Sequence, residues 1–326
     1  MTPRLPPIPD LDAMMQITAR LDAARRRVPE LAGAEPGDLI RHVPGKRAIF
    51  HGTLDGRRVV FRMHLTAEHD AARREWDELQ RLWPHMATGD LRTPQPVAAS
   101  IADGIIVLER VTGTPLLELL YQTAPPARRA WLRPAATWLR RSTAMSEDWR
   151  APRPDAWVAR AEAASTCQPF AQLRALEEDI LAQMRRLAPA VAAAPWRTAI
   201  CHGDFHPNNL IADGARLTGI DLGGSQRLPV LKDAARFAMY MGRRRLNLSG
   251  ATCLGVDAAC LGAFSAALDL SAQERGATLP FFLAVEALIR VETVQLPPSR
   301  IIRAERMYRA LLADLKRTQP ETPLFG

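Results

Sequence analysis

One stretch of the chain decides its fold: CHGDFHPNNL at residues 201–210, followed by IDLG at residues 220–223. It places Asp204, Asn209 and Asp221 within one short segment. Between the last two, Asp213-Gly214 is a common two-residue hairpin turn flanked by apolar residues, and such a hairpin would bring the three side chains together at its open end. A carboxylate that accepts a hydroxyl proton, with an amide and a second carboxylate that hold Mg²⁺, is the set of groups that phosphoryl transfer needs.

The same residues resemble the motif of aminoglycoside phosphotransferases and choline kinases, within the protein-kinase-like superfamily. Those enzymes carry H-G-D-x-x-x-x-N and an Asp after a hairpin, where eukaryotic protein kinases carry H-R-D and D-F-G. The match here is His202-Gly203-Asp204, Asn209 and Asp221-Leu222-Gly223. The resemblance implies an α+β, two-lobed protein-kinase-like fold with a small β-rich N-lobe and a larger, mostly helical C-lobe.

The resemblance also implies a role for each residue of the motif, with ATP as phosphoryl donor. Asp204 is expected to be the catalytic base that orients the acceptor hydroxyl. Asn209 and Asp221 are expected to bind Mg²⁺, because hard oxygen ligands suit that ion. Three further residues are expected to support the loop structurally, namely His202, His206 and Asp233. Approach to the substrate is the alternative for His206, and an ordinary aspartate at a helix N-terminus is the alternative for Asp233.

The expected N-lobe follows from a second group of patterns. After a helix over about residues 10–27 come two strands, Arg47–Leu54 and Arg58–Leu65, joined by an Asp55-Gly56 turn. An amphipathic helix at Ala67–Trp83 and two strands at Pro96–Ile101 and Ile105–Glu109 complete the order found in the small lobe of a kinase.

The lobe boundary is predicted between residues 111 and 112, giving domains 1–111 and 112–326, with Glu109 and Val111 as hinge contacts to the nucleotide. Beyond Leu116 the chain is predicted to be mostly helical apart from the hairpin.

The N-lobe departs from the kinase pattern at one position. Kinases place a Lys on the third strand to hold the α- and β-phosphates, but this strand reads Val59-Val60-Phe61-Arg62-Met63. Glu75 on the helix is the expected partner of Arg62, and Lys46 in the preceding turn is the alternative cation for the phosphates. Strand alternation puts the apolar Val59, Phe61 and Met63 on one face, which directs Arg62 to the other.

Composition narrows the classes of partner. The net charge is +8, but 40 of the 43 basic residues are arginines spread along the chain, so nucleic-acid binding is not predicted. The densest group, Arg243-Arg244-Arg245, is interpreted as a solvated helix end, with an anionic substrate as the alternative. Four scattered cysteines and the lack of a signal peptide or membrane span predict a cytoplasmic protein.

The predicted function is ATP- and Mg-dependent transfer of phosphate to a hydroxyl of a small, sugar-like molecule. Two alternatives stay open. Gly45-Lys46-Arg47, Arg74-Glu75-Trp76 and Lys232-Asp233-Ala234-Ala235 are similar to lipopolysaccharide core sugar kinases, which would imply peripheral contact with the cytoplasmic membrane face. A regulatory pseudokinase is the other alternative, since Arg62 replaces the strand lysine. The oligomeric state is not predicted.

Overall fold

The computed structural model describes residues 11–66, 70–319 and Phe325, and the contacts of the chain divide it into two compact units. The first unit runs to Gly113 and takes in the return segment Ile211–Ser225. The second unit consists of Thr114–Leu210 and the chain from Gln226 onward. The domain boundary expected between residues 111 and 112 stays a prediction, and the return segment adds a second stretch of chain to the first unit.

A five-stranded antiparallel sheet forms the centre of the first unit, with its strands in the order β1, β2, β3, β6, β5. The elements of this unit are α1 (Leu11–Arg27), β1 (Ala34–Val43), β2 (Arg47–Leu54), β3 (Arg57–His64), α2 (Asp70–Met86), β4 (Leu91–Arg92), β5 (Pro96–Ser100) and β6 (Ile105–Glu109). Asp55 and Gly56 join β2 to β3 with φ angles of 50° and 77°, as a tight hairpin turn requires, so this predicted hairpin is confirmed. The first three residues of the predicted helix at Ala67–Trp83 lie outside the described residues, and α2 continues three residues beyond Trp83.

Strand β1 was not predicted. The sequence Glu35-Pro36-Gly37-Asp38 has the composition of a turn, yet it lies within a ten-residue strand that pairs with β2. The pairing register shifts between Pro36 and Leu39, where an irregularity accommodates the proline and the glycine. An edge position permits this, because a proline there removes no hydrogen bond from an inner strand.

The two faces of the sheet differ in chemistry, and β3 shows this most clearly. Val59, Phe61 and Met63 are fully buried in an apolar core that includes residues of α1. Arg62 and His64 alternate with them and point to the opposite face, although both are also buried. The predicted alternation is therefore confirmed, and it places a buried cation on the sheet face away from the apolar core.

The second unit is mostly helical. After β7 (Thr114–Pro115) it contains α3 (Leu116–Gln122), α4 (Pro125–Ala130), α5 (Leu132–Ala144), β8 (Asp148–Arg150), α6 (Pro154–Ser165), α7 (Ala171–Ala192) and β9 (Trp196–Cys201). The hairpin strands β10 (Leu210–Asp213) and β11 (Arg216–Gly219) lie in the return segment of the first unit, except for Leu210. Beyond it lie β12 (Gln226–Pro229), α8 (Val230–Gly242), β13 (Thr252–Cys253), β14 (Val256–Asp257), α9 (Ala258–Leu268), α10 (Leu279–Leu288) and α11 (Pro298–Arg317). The confirmed class is α+β, with a β-sheet N-terminal region and a helical C-terminal region.

Two expectations for the C-terminal region need correction. Strands β8, β9 and β12 form a three-stranded antiparallel sheet that the sequence did not predict, because strands of three to six residues carry too little periodicity. The hairpin turn falls on Gly214 and Ala215, one residue later than predicted. Gly214 takes the left-handed backbone conformation at φ 59°, while Asp213 ends β10. No helix among residues 11–66 and 70–319 is both long and apolar enough to cross a membrane.

Candidate active site

A buried ion-pair network in the first unit joins three of the predicted site residues. Arg62 of β3 directs one arm of its guanidinium to Glu75 of α2 and the other to Asp221 of the return segment. The Arg62 and Glu75 side chains are only 8% and 1% exposed, whereas Asp221 is 29% exposed. Burial alone would lower the pKa of Arg62, but the charges of Glu75 and Asp221 outweigh it and raise that pKa. The planar fork of an arginine suits this double contact, which a single ammonium makes less readily.

The backbone around Asp221 is shaped for this contact. Asp221 takes the left-handed conformation, with φ 65° and ψ 51°, which Asp tolerates better than most residues. A Cβ at Gly223 would lie only 3.3 Å from Oε2 of Glu75, so a glycine allows α2 and the return segment to approach closely. Arg47 adds a second cation, with its guanidinium 3.3 Å from Asp221 Oδ1. Arg47 was not predicted as a site residue; the signals for it were its place directly after Lys46 and its part in the Gly45-Lys46-Arg47 similarity.

The remaining nucleotide-site candidates of the first unit do not join this network. Lys46 is exposed in the turn between β1 and β2, and within the described residues its ammonium forms no ion pair. Glu109 ends β6, and its side chain accepts hydrogen bonds from Arg92 and from the backbone N–H of Gln95. Any contact of Glu109 with a nucleotide would therefore come from its backbone. Val111 is half-buried in the irregular segment that follows β6.

Asp204 is the centre of the polar cluster in the second unit. It follows β9 in the loop that leads to a short 3₁₀ turn at Pro207–Asn209, and its side chain is 44% exposed. Its Oδ1 accepts a hydrogen bond from Arg236 Nε at 2.9 Å and another from Arg290 at 3.2 Å. Burial would raise the pKa of Asp204, but the hydrogen bond from His206 and the charge of Arg236 lower it well below its usual range. Asp204 is therefore a carboxylate at every physiological pH.

The two histidines of the loop have different surroundings. His206 Nε2 lies 3.4 Å from Asp204 Oδ2, and its ring stacks on Tyr240 with centroids 4.2 Å apart. Burial lowers the pKa of His206 despite the neighbouring Asp204, so the ring is neutral at pH 7. His202 is buried against the aromatic rings of Trp138 and Phe205, in the packed interior beneath the loop.

Two further predicted residues fix the loop. Asp233, fully buried near the start of α8, accepts a hydrogen bond from the backbone N–H of Gly203 at 3.1 Å and so ties the helix to the loop. Burial raises the pKa of Asp233 despite the adjacent Lys232. Lys232 is itself paired with the buried Glu286 at 2.8 Å. The roles of Asp233, His202 and His206 in the reaction stay predictions.

Asn209 in the second unit and Asp221 in the first each offer a donor atom of the kind that binds magnesium. Asn209 Nδ2 donates to the carbonyl oxygen of Asp204 at 3.1 Å, which leaves Oδ1 as the atom that could bind a metal. Asp221 offers a part-exposed carboxylate, so both residues supply the hard oxygen ligands that Mg²⁺ prefers. In the described part of the chain no group of three His, Cys, Asp or Glu side chains is suited to hold a metal ion by itself. Such a sparse set matches ions that nucleotide phosphates help to bind.

The structure thus places the predicted residues in two clusters. Arg62, Glu75 and Asp221 are in contact in the first unit; Asp204, Asn209 and His206 are in contact or adjacent in the second. Sequence reasoning missed the arginines that surround Asp204, because nothing distinguishes Arg236 and Arg290 from the other arginines of so arginine-rich a chain. The interpretation of Arg243–Arg245 as a solvated helix end is wrong for Arg243, whose side chain is only 13% exposed and is paired with Glu292.

Solved structures share this fold at low sequence identity. A choline/ethanolamine kinase family protein from Mesorhizobium loti is 18% identical, with a TM-score of 0.58 over 93% of this chain and 99% of that one. Aminoglycoside phosphotransferase APH(4)-Ia, in a complex with ADP and hygromycin B, is 16% identical, with a TM-score of 0.57 over 86% and 95% of the two chains. An amicoumacin kinase in a complex with AMP-PNP and Ca²⁺ is 13% identical, with a TM-score of 0.55 over 96% and 98%.

Sequence comparison assigns the family. No curated protein matches the sequence significantly. The phosphotransferase enzyme family matches residues 40–256, which is two thirds of the chain and includes all the motif residues described above. This match confirms the prediction of a phosphotransferase with an alcohol group as acceptor, a small-molecule kinase. The chain therefore belongs to the phosphotransferase enzyme family.

Proposed function

We propose that this phosphotransferase uses ATP and Mg²⁺ to phosphorylate a hydroxyl group of a small, sugar-like molecule. The observation that carries the proposal is the Arg62–Glu75–Asp221 network. An arginine takes the position of the kinase lysine and still contacts both the helix glutamate and the aspartate of the Asp221-Leu222-Gly223 motif. Buried ion pairs of this kind contribute little to the free energy of folding. A chain that no longer bound nucleotides would therefore gain little by keeping two carboxylates on one buried cation.

In this proposal Asp204 acts on the acceptor. Its lowered pKa keeps it ionised, so it accepts a hydrogen bond from the acceptor hydroxyl and orients the oxygen toward the transferred phosphoryl group. The proton moves to the carboxylate late, when the bond to phosphorus has largely formed and the oxygen has become acidic. His206, neutral and stacked on Tyr240, holds one carboxylate oxygen and leaves the orientation of Asp204 fixed.

Arg62 is proposed to hold the α- and β-phosphates, with Glu75 fixing its guanidinium. Its buried, permanent charge and its fork of donors suit phosphate oxygens. Asn209 Oδ1 and the Asp221 carboxylate are proposed to bind Mg²⁺, which supplies charge neutralisation to the phosphates when bound. Arg47 and Arg62 neutralise Asp221 in the free protein, so the carboxylate is held in place before the ligand arrives. Glu109 and Val111 are proposed to contact the nucleotide through their backbone groups.

The related structures support one part of this proposal, the binding of an adenine nucleotide and a small molecule. One contains ADP with hygromycin B and another, an amicoumacin kinase, contains AMP-PNP, so proteins with this fold bind adenine nucleotides together with small molecules. A cytoplasmic location is proposed with the same function, because ATP is abundant there. The peripheral membrane contact implied by the sugar-kinase alternative has no support in the structure.

Two measurements test the proposal together. Thermal unfolding with ATP, with and without Mg²⁺, should show Mg-dependent stabilisation of about 2.7 kcal/mol at 100 times the Kd. Transfer of radiolabelled phosphate from ATP to pooled hydroxylated metabolites should then identify an acceptor. Asp204→Asn is the matched control, since it removes the proton acceptor and keeps the shape. A wild-type protein that shows no response to ATP with Mg²⁺ would contradict the proposal and favour a pseudokinase.

A further inference from the structure

The surroundings of Asp204 carry more positive charge than one carboxylate needs. Arg236 and Arg290 both donate to the same oxygen, Oδ1, at 2.9 and 3.2 Å. One guanidinium suffices to neutralise a carboxylate, and a second one on the same atom leaves a net positive charge beside it. Arg290 is also 38% exposed, so its guanidinium is accessible from solvent.

Two more arginines extend this positive region through the ring of Tyr240. The guanidinium of Arg244 lies over that ring, 3.4 Å from its centroid. The guanidinium of Arg236, which donates to Asp204, lies 5.3 Å from the same centroid. Arg300, near the start of α11, adds a further positive charge, which lowers the pKa of Arg244. In the stretches that the structure describes, neither Arg244 nor Arg300 forms an ion pair with an acidic side chain.

The acidic groups nearby do not cancel this charge. Glu286 is fully buried and lies 2.8 Å from Lys232, so only part of its charge is shared with Arg290, whose Nε is 3.7 Å away. Asp233 accepts a hydrogen bond from the backbone N–H of Gly203 and forms no ion pair with an arginine of the described residues. The pKa of Arg236 is lowered by burial and then by the charge of Arg290, and that of Arg244 by burial and then by Arg300. The arginines therefore repel one another, and a bound anion would relieve that repulsion.

We propose that the acceptor is a hydroxylated anion, whose carboxylate or phosphate group binds Arg290 and Arg244 while its hydroxyl binds Asp204. This inference rests on the proposed function and adds a substrate class to it. Arginine pairs bind carboxylate and phosphate with charge-assisted, often bidentate hydrogen bonds, so they suit both groups. An acceptor that carries ammonium groups would meet like charge here, and a neutral sugar would leave the guanidinium groups without a counter-charge.

A matched series of hexoses tests the proposal. Glucose, glucosamine, glucuronate and glucose 6-phosphate share one skeleton and differ chiefly in charge. Each is titrated calorimetrically into the protein saturated with Mg²⁺ and AMP-PNP, so that the nucleotide occupies its own phosphate site. We expect glucuronate or glucose 6-phosphate to bind more tightly than glucose, and glucosamine most weakly. The order of the two anions separates a carboxylate acceptor from a phosphate ester.

Variants show whether the named arginines cause the preference. Arg290→Gln and Arg244→Gln should each raise the Kd of the preferred anion about tenfold, as the loss of a charge-assisted contact predicts. Arg309→Gln, which changes an exposed arginine paired with Glu305 on α11, should leave that Kd unchanged. Equal binding of all four sugars, no binding by any, a preference for glucosamine, or an anion preference that survives both variants would overturn the proposal. The binding of AMP-PNP to each protein is measured beforehand in a separate titration without sugar, so a failure of the proposed function is recognised separately.

Discussion

Replacing Arg62 by alanine is the change that tests most directly how the chain holds phosphate. The substitution leaves Glu75, which is almost fully buried, without its principal cation, while His64 Nε2 remains 3.6 Å from Glu75 Oε2. Removing one partner of a buried ion pair costs about 3–5 kcal/mol, and the histidine places this case near the lower value. We therefore expect a loss of about 3 kcal/mol, which lowers the Tm by roughly 4–5 °C for a chain of this size.

The effect on nucleotide binding is measured at a temperature where the variant is still folded. Loss of charge-assisted contacts to the phosphates should weaken the affinity for ATP with Mg²⁺ by about 10- to 100-fold in calorimetric titrations. Lys46→Ala is the comparison, because Lys46 is exposed in a turn. It should change stability by no more than about 0.5 kcal/mol and ATP affinity by less than about fivefold.

Glu75→Gln separates the structural contribution of Arg62 from its contribution to binding. In that background Arg62→Ala leaves no unpaired buried charge, so its effect on the Tm should fall by at least about half, whereas its effect on ATP affinity should persist. If Lys46→Ala weakens ATP binding more than Arg62→Ala, the turn lysine holds the phosphates and the reasoning is refuted. If neither substitution alters ATP binding, the assignment of this chain as an ATP-dependent enzyme is refuted as well.

Three further outcomes follow from the two clusters. Asp204→Asn should reduce transfer at least about 100-fold and leave ATP affinity nearly unchanged in equilibrium binding, since Asp204 acts on the acceptor. Asp221→Ala should weaken Mg-dependent nucleotide binding more than Asn209→Ala, because it removes a full charge; equal ATP affinity of the wild type with and without Mg²⁺ would contradict this. The lowered pKa of His206 means that the unfolded chain binds more protons below about pH 6.5. Its stabilising contribution is therefore complete above that pH and declines as the pH falls, so His206→Gln should flatten the decline in denaturant titrations between pH 7 and 5.

Much of the fold could be predicted where short-range rules are strong. The Asp55-Gly56 hairpin was predicted correctly, since both residues tolerate a positive φ and the flanking strands alternate clearly. The Asp213-Gly214 turn was predicted one residue too early. The two residues can both lie in the turn, or the aspartate can end the strand while the glycine begins the turn, as it does here. The glycine decides the turn, and tertiary pairing decides on which side of it the strand ends.

Only those residues of the candidate site that belong to the family motif, or that strand alternation places, could be predicted from the sequence. Alternation alone indicated that Arg62 would leave the apolar face of β3, and the structure places it with Glu75 as expected. The contacts of Arg236 and Arg290 with Asp204 join positions 32 and 86 residues apart, and no local pattern encodes such distances. Long-range packing chooses which of many similar arginines meets a given carboxylate.

The arginine on β3 also determines which chemical reagents can detect this protein. A guanidinium stays protonated at any workable pH and does not react as an amine nucleophile, whereas lysine is readily acylated. The chain has only three lysines, of which Lys232 is buried in an ion pair, leaving Lys46 and Lys316 exposed. Nucleotide probes that label kinases by acylating the strand lysine would therefore find no amine at that position. In a cell extract surveyed with such probes, this phosphotransferase would escape labelling at its β3 position even when fully active.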